Sequence, residues 1–374
     1  MAIGDVRGII DSLDFDSYGG VLPKIIHVSG TTYAIAYQGY GNDGYLVTVS
    51  VEADGAITGV IDSLEFDPSN GAHPWIIHIA GDVYAIAYVG PGSNGTIKTV
   101  TIQANGTIGA VIGTFAYDTG PNVIEPVLAH IFGSVYTVFY GGPDNDGWLK
   151  TVTINDDGTI GAVIDSLEFD TAYGVYSDPI NIAGSIWAVA YTADAIFGPG
   201  RIKTISIAGN GTIGAIVSSY DYDGNQTSAP DIIHVSGNVY TIAYGGPGRH
   251  GLLKTITIAS GSIGAVIDSM EFEAVYGCNP WILHVADDVY AIAYDGPDGD
   301  GWLKTVVISS SGVIGGEVSS LEYDPVDGRY QSMIHVSGNV YAIAYLGPGN
   351  DGWLKTVDIQ TLPAAPRSQA HIIA

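Results

Sequence analysis

The sequence predicts an all-β fold built from seven similar four-stranded antiparallel units. The first observation is the run "IHVSGNVYAIAY" at residues 334–345, which returns along the chain in close or looser copies, seven in all. The second is composition, because 52 glycines, 24 tyrosines and many Val, Ile and Thr residues among 374 are typical of strands joined by tight turns. The third is that the two chain ends divide one unit between them.

The repeat has a period near 50 residues. Its last tyrosine returns every 50 to 53 residues, at Tyr37, Tyr88, Tyr140, Tyr191, Tyr244, Tyr294 and Tyr345. Such a period is typical of proteins in which each repeat forms one small sheet that packs only on its neighbours.

Four strands, A to D in chain order, are predicted within each unit. In the third unit they are "VLAHIFG", "VYTVFY", "WLKTVTI" and "AVIDSLEFD", each bounded by turns rich in Gly, Asn or Asp. Along strand B, large and small residues alternate, so that one face is bulky and the other is small. We expect the bulky face of one unit to pack on the small face of the next, which makes most tyrosines part of the core.

The chain ends complete one unit. "IIDSLDFD" at residues 9–16 matches the fourth strand "VIDSLEFD" at 60–67, whereas the chain finishes after a third strand, "GWLKTVDIQ" at 352–360. An N-terminal strand that joins the last unit closes a ring and leaves no unit short of a strand.

On these features the chain resembles the β-propeller superfamily. The resemblance implies an all-β, seven-bladed propeller of four-stranded antiparallel blades over residues 1–360, closed by the N-terminal strand, with a linker-like tail over 361–374. The chain has neither the Trp-Asp signature of WD40 repeats nor the paired glycines of kelch repeats. The resemblance therefore concerns architecture and implies no activity.

The charge of the chain restricts its partners. Against 39 acidic residues there are 12 Lys and Arg, a formal charge of −27, so we expect no nucleic-acid binding. No apolar run approaches the length of a membrane span, and the start lacks a signal-peptide pattern, so we expect no membrane insertion. The acidity favours an extracellular or cell-surface setting, and we expect a monomer.

Candidate ligand residues lie in two sets of loops, B-to-C and D-to-A, which share one face of the predicted propeller. Carboxylates and amides can hydrogen-bond sugar hydroxyls while an indole stacks on the sugar ring, and repetition gives multivalency. This indicates a lectin-like or adhesion-like module for a glycan or a surface protein. The candidates are Asn42, Asp43, His73, Trp75, Asp144, Asp146, Trp148, Asn279, Trp281, Asp298, Asp300, Trp302, Asn350, Asp351 and Trp353.

The same loops have a structural interpretation. Asn, Asp and Gly build tight turns, and the tryptophans can pack between blades. Two Asp-x-Asp-Gly loops resemble part of a calcium loop, but they lack its full ligand series. Ca²⁺ is therefore the weaker alternative, and no other cofactor is indicated.

Two further positions repeat along the chain. Strand A carries a histidine in six units and an asparagine in the fourth, at His27, His78, His130, Asn181, His234, His284 and His335. A metal needs several histidines on one ion, whereas a sevenfold ring spreads them apart, so we predict hydrogen-bonded structural histidines. Strand C carries a repeated lysine, and counting from the turn pairs Lys150 with Asp165 across the sheet.

The sequence is compatible with three functions. The favoured one is a non-enzymatic binding propeller. The others are a propeller enzyme, a hydrolase or lyase, with a site in the axial funnel, and a purely structural module of a larger surface protein. No blade-specific cluster of Asp, Glu, His and Arg stands out in the sequence, so we predict no catalytic and no metal-binding residues.

Overall fold

The structure, a computed structural model, describes residues 2–195 and 197–361. Over these residues it contains 28 strands, arranged as seven four-stranded antiparallel sheets in a ring. The fold is a seven-bladed β-propeller, as predicted. Of the predicted tail, residues 362–374 lie outside the described residues.

In each of the first three blades, strands A to D follow one another along the chain. Their bounds are β2 (Val21–Ser29), β3 (Thr32–Gln38), β4 (Gly44–Val51) and β5 (Ile57–Asp67) in blade 1; β6 (Ala72–Ala80), β7 (Val83–Val89), β8 (Gly95–Ile102) and β9 (Ile108–Asp118) in blade 2; and β10 (Ile124–Phe132), β11 (Val135–Gly141), β12 (Gly147–Ile154) and β13 (Ile160–Asp170) in blade 3.

The next three blades repeat this order. Their bounds are β14 (Gly174–Ala183), β15 (Ile186–Ala193), β16 (Gly200–Ile207) and β17 (Ile213–Asp223) in blade 4; β18 (Ser228–Ser236), β19 (Val239–Gly245), β20 (Gly251–Ala259) and β21 (Ser262–Glu273) in blade 5; and β22 (Cys278–Ala286), β23 (Val289–Asp295), β24 (Gly301–Ile308) and β25 (Ile314–Asp324) in blade 6. In blades 1, 2, 3, 5, 6 and 7 a single 3-10 turn occupies the B-to-C loop. No helix within the described ranges has the length and apolarity to cross a membrane.

Blade 7 is completed by the N-terminus. Its strands A to C are β26 (Arg329–Ser337), β27 (Val340–Leu346) and β28 (Gly352–Ile359), and its fourth strand is β1 (Val6–Asp16). β1 pairs antiparallel with β28, with Leu13 opposite Leu354. The predicted closure of the ring is confirmed.

Neighbouring blades interlock through strand B. Ala34 and Ala36 of blade 1 are fully buried in one cluster with Tyr84, Ile86 and Tyr88 of blade 2. The predicted contact of a bulky face with a small face is confirmed, and it places these repeat tyrosines in the core.

A second contact between blades is polar, and we call it the interblade clamp. In blade 2, Tyr88 Oη donates a hydrogen bond to Asp67 Oδ2 at 2.7 Å, and Asp67 is the last residue of strand D in blade 1. Lys98 Nζ donates to the same oxygen at 2.9 Å and to the Phe66 carbonyl at 2.6 Å. One buried carboxylate thus accepts hydrogen bonds from two side chains of the next blade.

Blades 2 to 7 all carry the complete clamp. Its carboxylates are Asp67, Asp118, Asp170, Asp223, Glu273 and Asp324, and its lysines are Lys98, Lys150, Lys203, Lys254, Lys304 and Lys355. In blade 1, Tyr37 donates to Asp16 at 2.7 Å, but Val47 stands where the other blades have lysine.

The predicted pairing of Lys150 with Asp165 is wrong. A β-bulge in strand D, between Asp165 and Val163, shifts the register, so that Lys150 lies opposite Ser166. Lys150 Nζ instead bonds Asp118 of the preceding blade at 2.8 Å. Asp165 accepts the backbone N–H of Ile213, which begins strand D of the next blade, at 2.9 Å.

Strand C adds a third contact between blades. The buried Thr99 hydroxyl donates to the carbonyl of Gly158, in the C-to-D turn of the next blade, at 2.6 Å. The same bond crosses both sides of blade 7, from Thr305 to the Gly4 carbonyl at 2.7 Å and from Thr356 to the Gly55 carbonyl at 2.6 Å. Blade 7 is therefore held by both neighbours, and its N-terminal segment by blade 6.

Deletion of residues 1–17 should open the ring. The truncated chain loses the partner of β28, the Gly4 acceptor and the Asp16 carboxylate, and it exposes an unpaired strand edge. We expect aggregation or a strongly lowered melting temperature in differential scanning calorimetry, with partial recovery when a peptide of residues 1–17 is added. Cooperative melting of the truncated chain at the parent temperature would contradict this closure.

The clamps should make the fold sensitive to acid. Burial alone would raise the pKa of Asp67, but hydrogen bonds from Lys98, Tyr88 and backbone N–H groups hold it below its ordinary value. The pKa values of the other clamp carboxyls are lowered in the same way. A carboxyl with a lower pKa in the folded state stabilises the fold above its unfolded pKa, and this stabilisation is lost as the pH falls through the folded value.

We therefore expect the free energy of unfolding to fall steeply below about pH 4, as measured by urea denaturation at pH 7, 5 and 3. Lys98→Met should already be less stable at pH 7 and should lose less further stability between pH 5 and 3, because one clamp is broken beforehand. Parallel pH profiles for the two proteins would contradict the assignment.

Candidate functional site

The axis of the propeller holds an open funnel with a volume of about 560 Å³. Its wall is formed by the first halves of the seven A strands. At its mouth lie Phe197 and Arg249 from B-to-C loops and Tyr276 from a D-to-A loop. The funnel therefore opens on the face that carries these loops.

Two rings of side chains line the funnel, and each blade contributes one residue to each ring. The upper ring, nearer the loops, consists of Leu22, His73, Glu125, Tyr176, Ala229, Asn279 and Tyr330. The lower ring consists of Lys24, Trp75, Val127, Asp178, Asp231, Trp281 and Ser332. All of these residues except Ser332 line the cavity.

A β-bulge presents the upper ring in every blade. In blade 1, Val21 pairs with Gln38 and Lys24 with Ala36, so Leu22 and Pro23 together lie opposite Tyr37. The upper-ring residues have φ between 43° and 56° in all seven blades, a left-handed conformation that costs most non-glycine residues energy. Bulges of this kind redirect side chains near functional sites.

An amine and two indoles meet near the axis in the lower ring. Lys24 Nζ lies 4.3 Å from the ring centroid of Trp75 and 4.0 Å from that of Trp281. The two indole centroids are 6.3 Å apart, although their residues belong to blades 2 and 6. The Trp281 Nε1 group donates to the Met333 carbonyl at 2.9 Å, which fixes one of the rings.

Lys24 is the one lysine of seven that does not belong to the strand C position. Burial lowers its pKa to about 8, against the attraction of Asp231, Asp178 and Glu125. Over the described part of the chain no carboxylate lies within ion-pair distance of Lys24 Nζ, in contrast to the clamp lysines. The residue as a whole is half-buried and lines the funnel.

A carboxyl pair lies beside this amine. Asp178 and Asp231 are hydrogen-bonded to each other, and each also accepts a backbone N–H of the next blade, from Ile232 at 2.8 Å and from Ile282 at 2.7 Å. Burial and the charge of Asp231 raise the pKa of Asp178 well above its usual range, and burial raises that of Asp231 to about 6. The pair therefore retains a proton to higher pH than isolated aspartates do.

The upper ring adds polar groups that are partly unsatisfied. His73 Nδ1 lies 3.5 Å from Glu125 Oε1, close enough for an ion pair, yet this buried nitrogen makes no hydrogen bond among the described residues. Asp295 accepts hydrogen bonds from Asn279 Nδ2 at 2.6 Å and from the Tyr330 N–H at 3.0 Å. Burial raises the pKa of Asp295 to about 7. Asp295 is thus a positioning residue for two members of the ring.

The funnel breaks the symmetry of the repeat. The clamp, the buried strand B and the strand A histidine recur with few changes, whereas the lower ring contains an amine, two carboxyls, two indoles, a valine and a serine. The ring therefore forms one asymmetric site, since no two successive blades contribute the same residue except Asp178 and Asp231. The site therefore combines a pair of carboxyl groups, an amine that can donate hydrogen bonds, and two aromatic surfaces.

The structure brings together four of the predicted ligand residues. His73, Trp75, Asn279 and Trp281 all line the funnel. The others are not part of the funnel wall. Those on the B-to-C turns are Asn42, Asp43, Asp144, Asp146, Asp298, Asp300, Asn350 and Asp351, and those at the start of strand C are Trp148, Trp302 and Trp353. Within the described ranges, no group of three or more His, Cys, Asp and Glu side chains could hold a metal ion.

The residues on the B-to-C turns have structural contacts. Asp144 and Asp298 adopt φ values of 60° and 61° inside their 3-10 turns. The Trp148 indole covers Gly142, where a side-chain Cβ would lie 2.4 Å from its Cδ1 atom, and its buried Nε1 has no hydrogen-bond partner in the described structure. Trp302 and Trp353 cover Gly296 and Gly347 in the same way. These contacts favour the turn-building interpretation for this set.

Lys24, Glu125, Asp178 and Asp231 were not among the predicted site residues. They come from four different blades and form a cluster only in the folded protein. The signal lies in strand A, where the position three residues before the repeated histidine varies between otherwise similar segments, as in "LPKIIH" at 22–27, "HPWIIH" at 73–78 and "APDIIH" at 229–234. Variation at one position of a regular repeat indicates that the scaffold accepts several different side chains there.

The recurring histidines are structural, as predicted. Nε2 of His27 donates to the Gly30 carbonyl in the A-to-B turn at 3.0 Å, and the ring packs on Tyr33. The equivalent bonds of His78, His130, His234, His284 and His335 measure 2.7 to 3.0 Å. Asn181 Nδ2 donates to the Gly184 carbonyl at 3.2 Å, so the amide replaces the imidazole in blade 4.

Solved structures share this architecture at low sequence identity. The periplasmic gluconolactonase of Pseudomonas aeruginosa is 14% identical, with a TM-score of 0.60 over 82% of this chain and 86% of that one. A putative 6-phosphogluconolactonase from Bacteroides fragilis is 12% identical, with a TM-score of 0.59 over 90% and 98%. The WD40 domain of Toxoplasma gondii coronin is 11% identical, with a TM-score of 0.65 over 98% and 90%. These similarities concern the fold.

Sequence comparisons add no family. No family model matches the chain, and no curated protein matches it.

Proposed function

We propose that the protein binds one small polyhydroxylated ligand, a sugar or the end of a glycan, in the axial funnel. The observation that carries the proposal is the convergence of Lys24, Trp75, Trp281 and the Asp178–Asp231 pair on the axis. This modifies the expectation of a multivalent rim, because a funnel on the axis provides one site per chain. An extracellular or cell-surface location and a monomeric state remain part of the proposal.

The chemistry of the funnel suits such a ligand. A carboxylate accepts hydrogen bonds from hydroxyls, whereas a protonated carboxyl, an ammonium and a phenol donate them. Tyr176 and Tyr330 of the upper ring supply aromatic surface that stacks on the apolar face of a sugar ring. The volume of about 560 Å³ falls within the range of small-molecule sites, about 300–1,000 Å³.

Binding can be tested with variants of the funnel and of the rim. A panel of monosaccharides and short glycans, with and without Ca²⁺, is screened by isothermal titration calorimetry. Asp231→Asn keeps an oxygen for the Ile282 N–H but removes the charge, and we expect it to weaken binding at least about tenfold, or ~1.4 kcal/mol. The matched rim variant Asp300→Ala should bind like the parent.

The reverse result, with binding lost in Asp300→Ala and retained in Asp231→Asn, would place the ligand on the B-to-C turns and return the function to a multivalent rim. A dependence on Ca²⁺ would support the calcium alternative for those turns.

A second candidate function is hydrolysis of a sugar lactone. Two of the similar folds belong to a gluconolactonase and a putative 6-phosphogluconolactonase. The raised pKa values of Asp178 and Asp231 favour a shared proton, so that one carboxyl can donate a proton while the other accepts one. The carboxylate can take a proton from a water molecule while the oxygen of that water attacks the lactone carbonyl. The protonated carboxyl can donate to the ring oxygen as the acyl C–O bond breaks.

Hydrolysis of glucono-δ-lactone at pH 6.5, followed with a pH indicator, tests this candidate. An enzyme should give a rate above the spontaneous one that is proportional to protein concentration and is lost in Asp231→Asn. A rate equal to the spontaneous one would contradict hydrolysis of this lactone and leave the binding function.

A further inference from the structure

The interblade clamps show how this fold binds a primary ammonium group. In blades 2 to 7, each lysine Nζ lies 2.8 to 3.4 Å from a carboxylate oxygen. It also donates to the carbonyl of the residue before that carboxylate and lies 5.5 to 5.8 Å from the centroid of the repeat tyrosine ring. Two acceptors and one aromatic face therefore surround the ammonium in all six blades.

The seam between blades 7 and 1 keeps these acceptors but lacks the ammonium. Asp16 Oδ2 accepts the Tyr37 hydroxyl at 2.7 Å, and Asp16 Oδ1 accepts the Tyr18 N–H at 2.9 Å. Val47 lies opposite Ile35 as Lys98 lies opposite Ile86. Over residues 2–195 and 197–361, no side chain donates to the Phe15 carbonyl and no cationic side chain pairs with Asp16.

An open cavity of about 420 Å³ lies at this place. Its lining includes Phe15, Asp16, Tyr37, Tyr45 and Val47. Asp16 is partly exposed, as are its counterparts Asp118 and Glu273, whereas the remaining clamp carboxylates are buried, namely Asp67, Asp170, Asp223 and Asp324. The Tyr45 ring stacks on that of Tyr37 with centroids 5.8 Å apart, which extends the aromatic wall of the cavity. The partly exposed Asp16 therefore gives the cavity one acceptor that solvent reaches.

We propose that this seam cavity is a second binding site, specific for a primary ammonium on a linear alkyl chain of about the length of a lysine side chain. The ligand occupies the place of the missing lysine: its N–H groups donate to Asp16 and to the Phe15 carbonyl, and its charge faces the Tyr37 ring. A quaternary ammonium has no N–H to donate and is a poor ligand. The source is either a free alkyl amine or a lysine of a partner protein. This site goes beyond the proposed function of the funnel.

The first test uses n-butylammonium as the probe, with tetramethylammonium at equal ionic strength as the control. We expect saturable binding to the parent protein in the millimolar range by NMR titration, with a rise in melting temperature, and no saturable effect of tetramethylammonium. Asp16→Asn keeps an acceptor for Tyr37 but removes the charge, and should weaken binding about tenfold or more. Asp231→Asn, in the funnel, should leave it unchanged, so the two sites are tested independently.

The second test uses one variant that fills the seam cavity and one that creates an equivalent cavity in another blade. Val47→Lys supplies the missing side chain and should abolish binding of n-butylammonium while raising the melting temperature. Lys98→Ala creates the same vacancy in blade 2, and n-butylammonium should partly restore its lowered melting temperature. Rescue of Lys98→Ala without any binding to the parent protein would overturn the proposal, as would equal effects of the two ammonium salts.

The two sources can be separated with the same assay. A capped Gly-Lys-Gly peptide that binds more tightly than n-butylammonium supports a lysine of a partner protein. Tighter binding of the free amine supports a small-molecule ligand. Failure of both to bind the parent protein would contradict the site.

Discussion

The carboxylate at the end of each strand D is the group on which the arrangement of the blades depends. It is buried in most blades, and a buried charge is stable only when it is paired and hydrogen-bonded. Its partners, a tyrosine and a lysine, come from strands B and C of the next blade. The carboxylate of each blade therefore depends on the next blade for its hydrogen-bond donors. The same holds at the end of the ring, where Asp16 of blade 7 accepts a hydrogen bond from Tyr37 of blade 1.

Because the clamps and the strand B clusters hold the blades together away from the axis, the inner ends of the A strands are free to differ. The inner ends of the A strands nevertheless also make contacts that stabilise the fold. Asp178 and Asp231 each bond a backbone N–H of the next blade, and the Ser332 hydroxyl does the same for Ile25 at 3.3 Å. One oxygen of each carboxylate thus supports the scaffold, and the other is left to the carboxyl pair and to the funnel.

Local sequence patterns are sufficient for the architecture, since strands, turns and the match of residues 9–16 with 60–67 are all contiguous features. The partner of Lys150 was not predictable by counting. A bulge in strand D shifts the register by one residue, and the lysine bonds a carboxylate of the preceding blade and not a residue of its own sheet. The funnel was harder still. Lys24, Trp75 and Trp281 meet only after the ring closes, and periodicity within one repeat contains no information about which residues face each other across the axis.

The incomplete clamp lies next to the blade in which the ring closes, because strands C and D of blade 7 have no covalent connection. Blade 7 is joined by hydrogen bonds between β1 and β28, so opening of the ring can begin there without breaking the chain. At the adjoining contact with blade 1, a valine replaces the lysine that reinforces the six other contacts. Every residue that lines the seam cavity belongs to the N-terminal segment or to blade 1, and none belongs to β28. An ammonium group bound there would therefore reinforce the contact of β1 with blade 1, while the β1–β28 ladder alone joins β1 to the rest of blade 7.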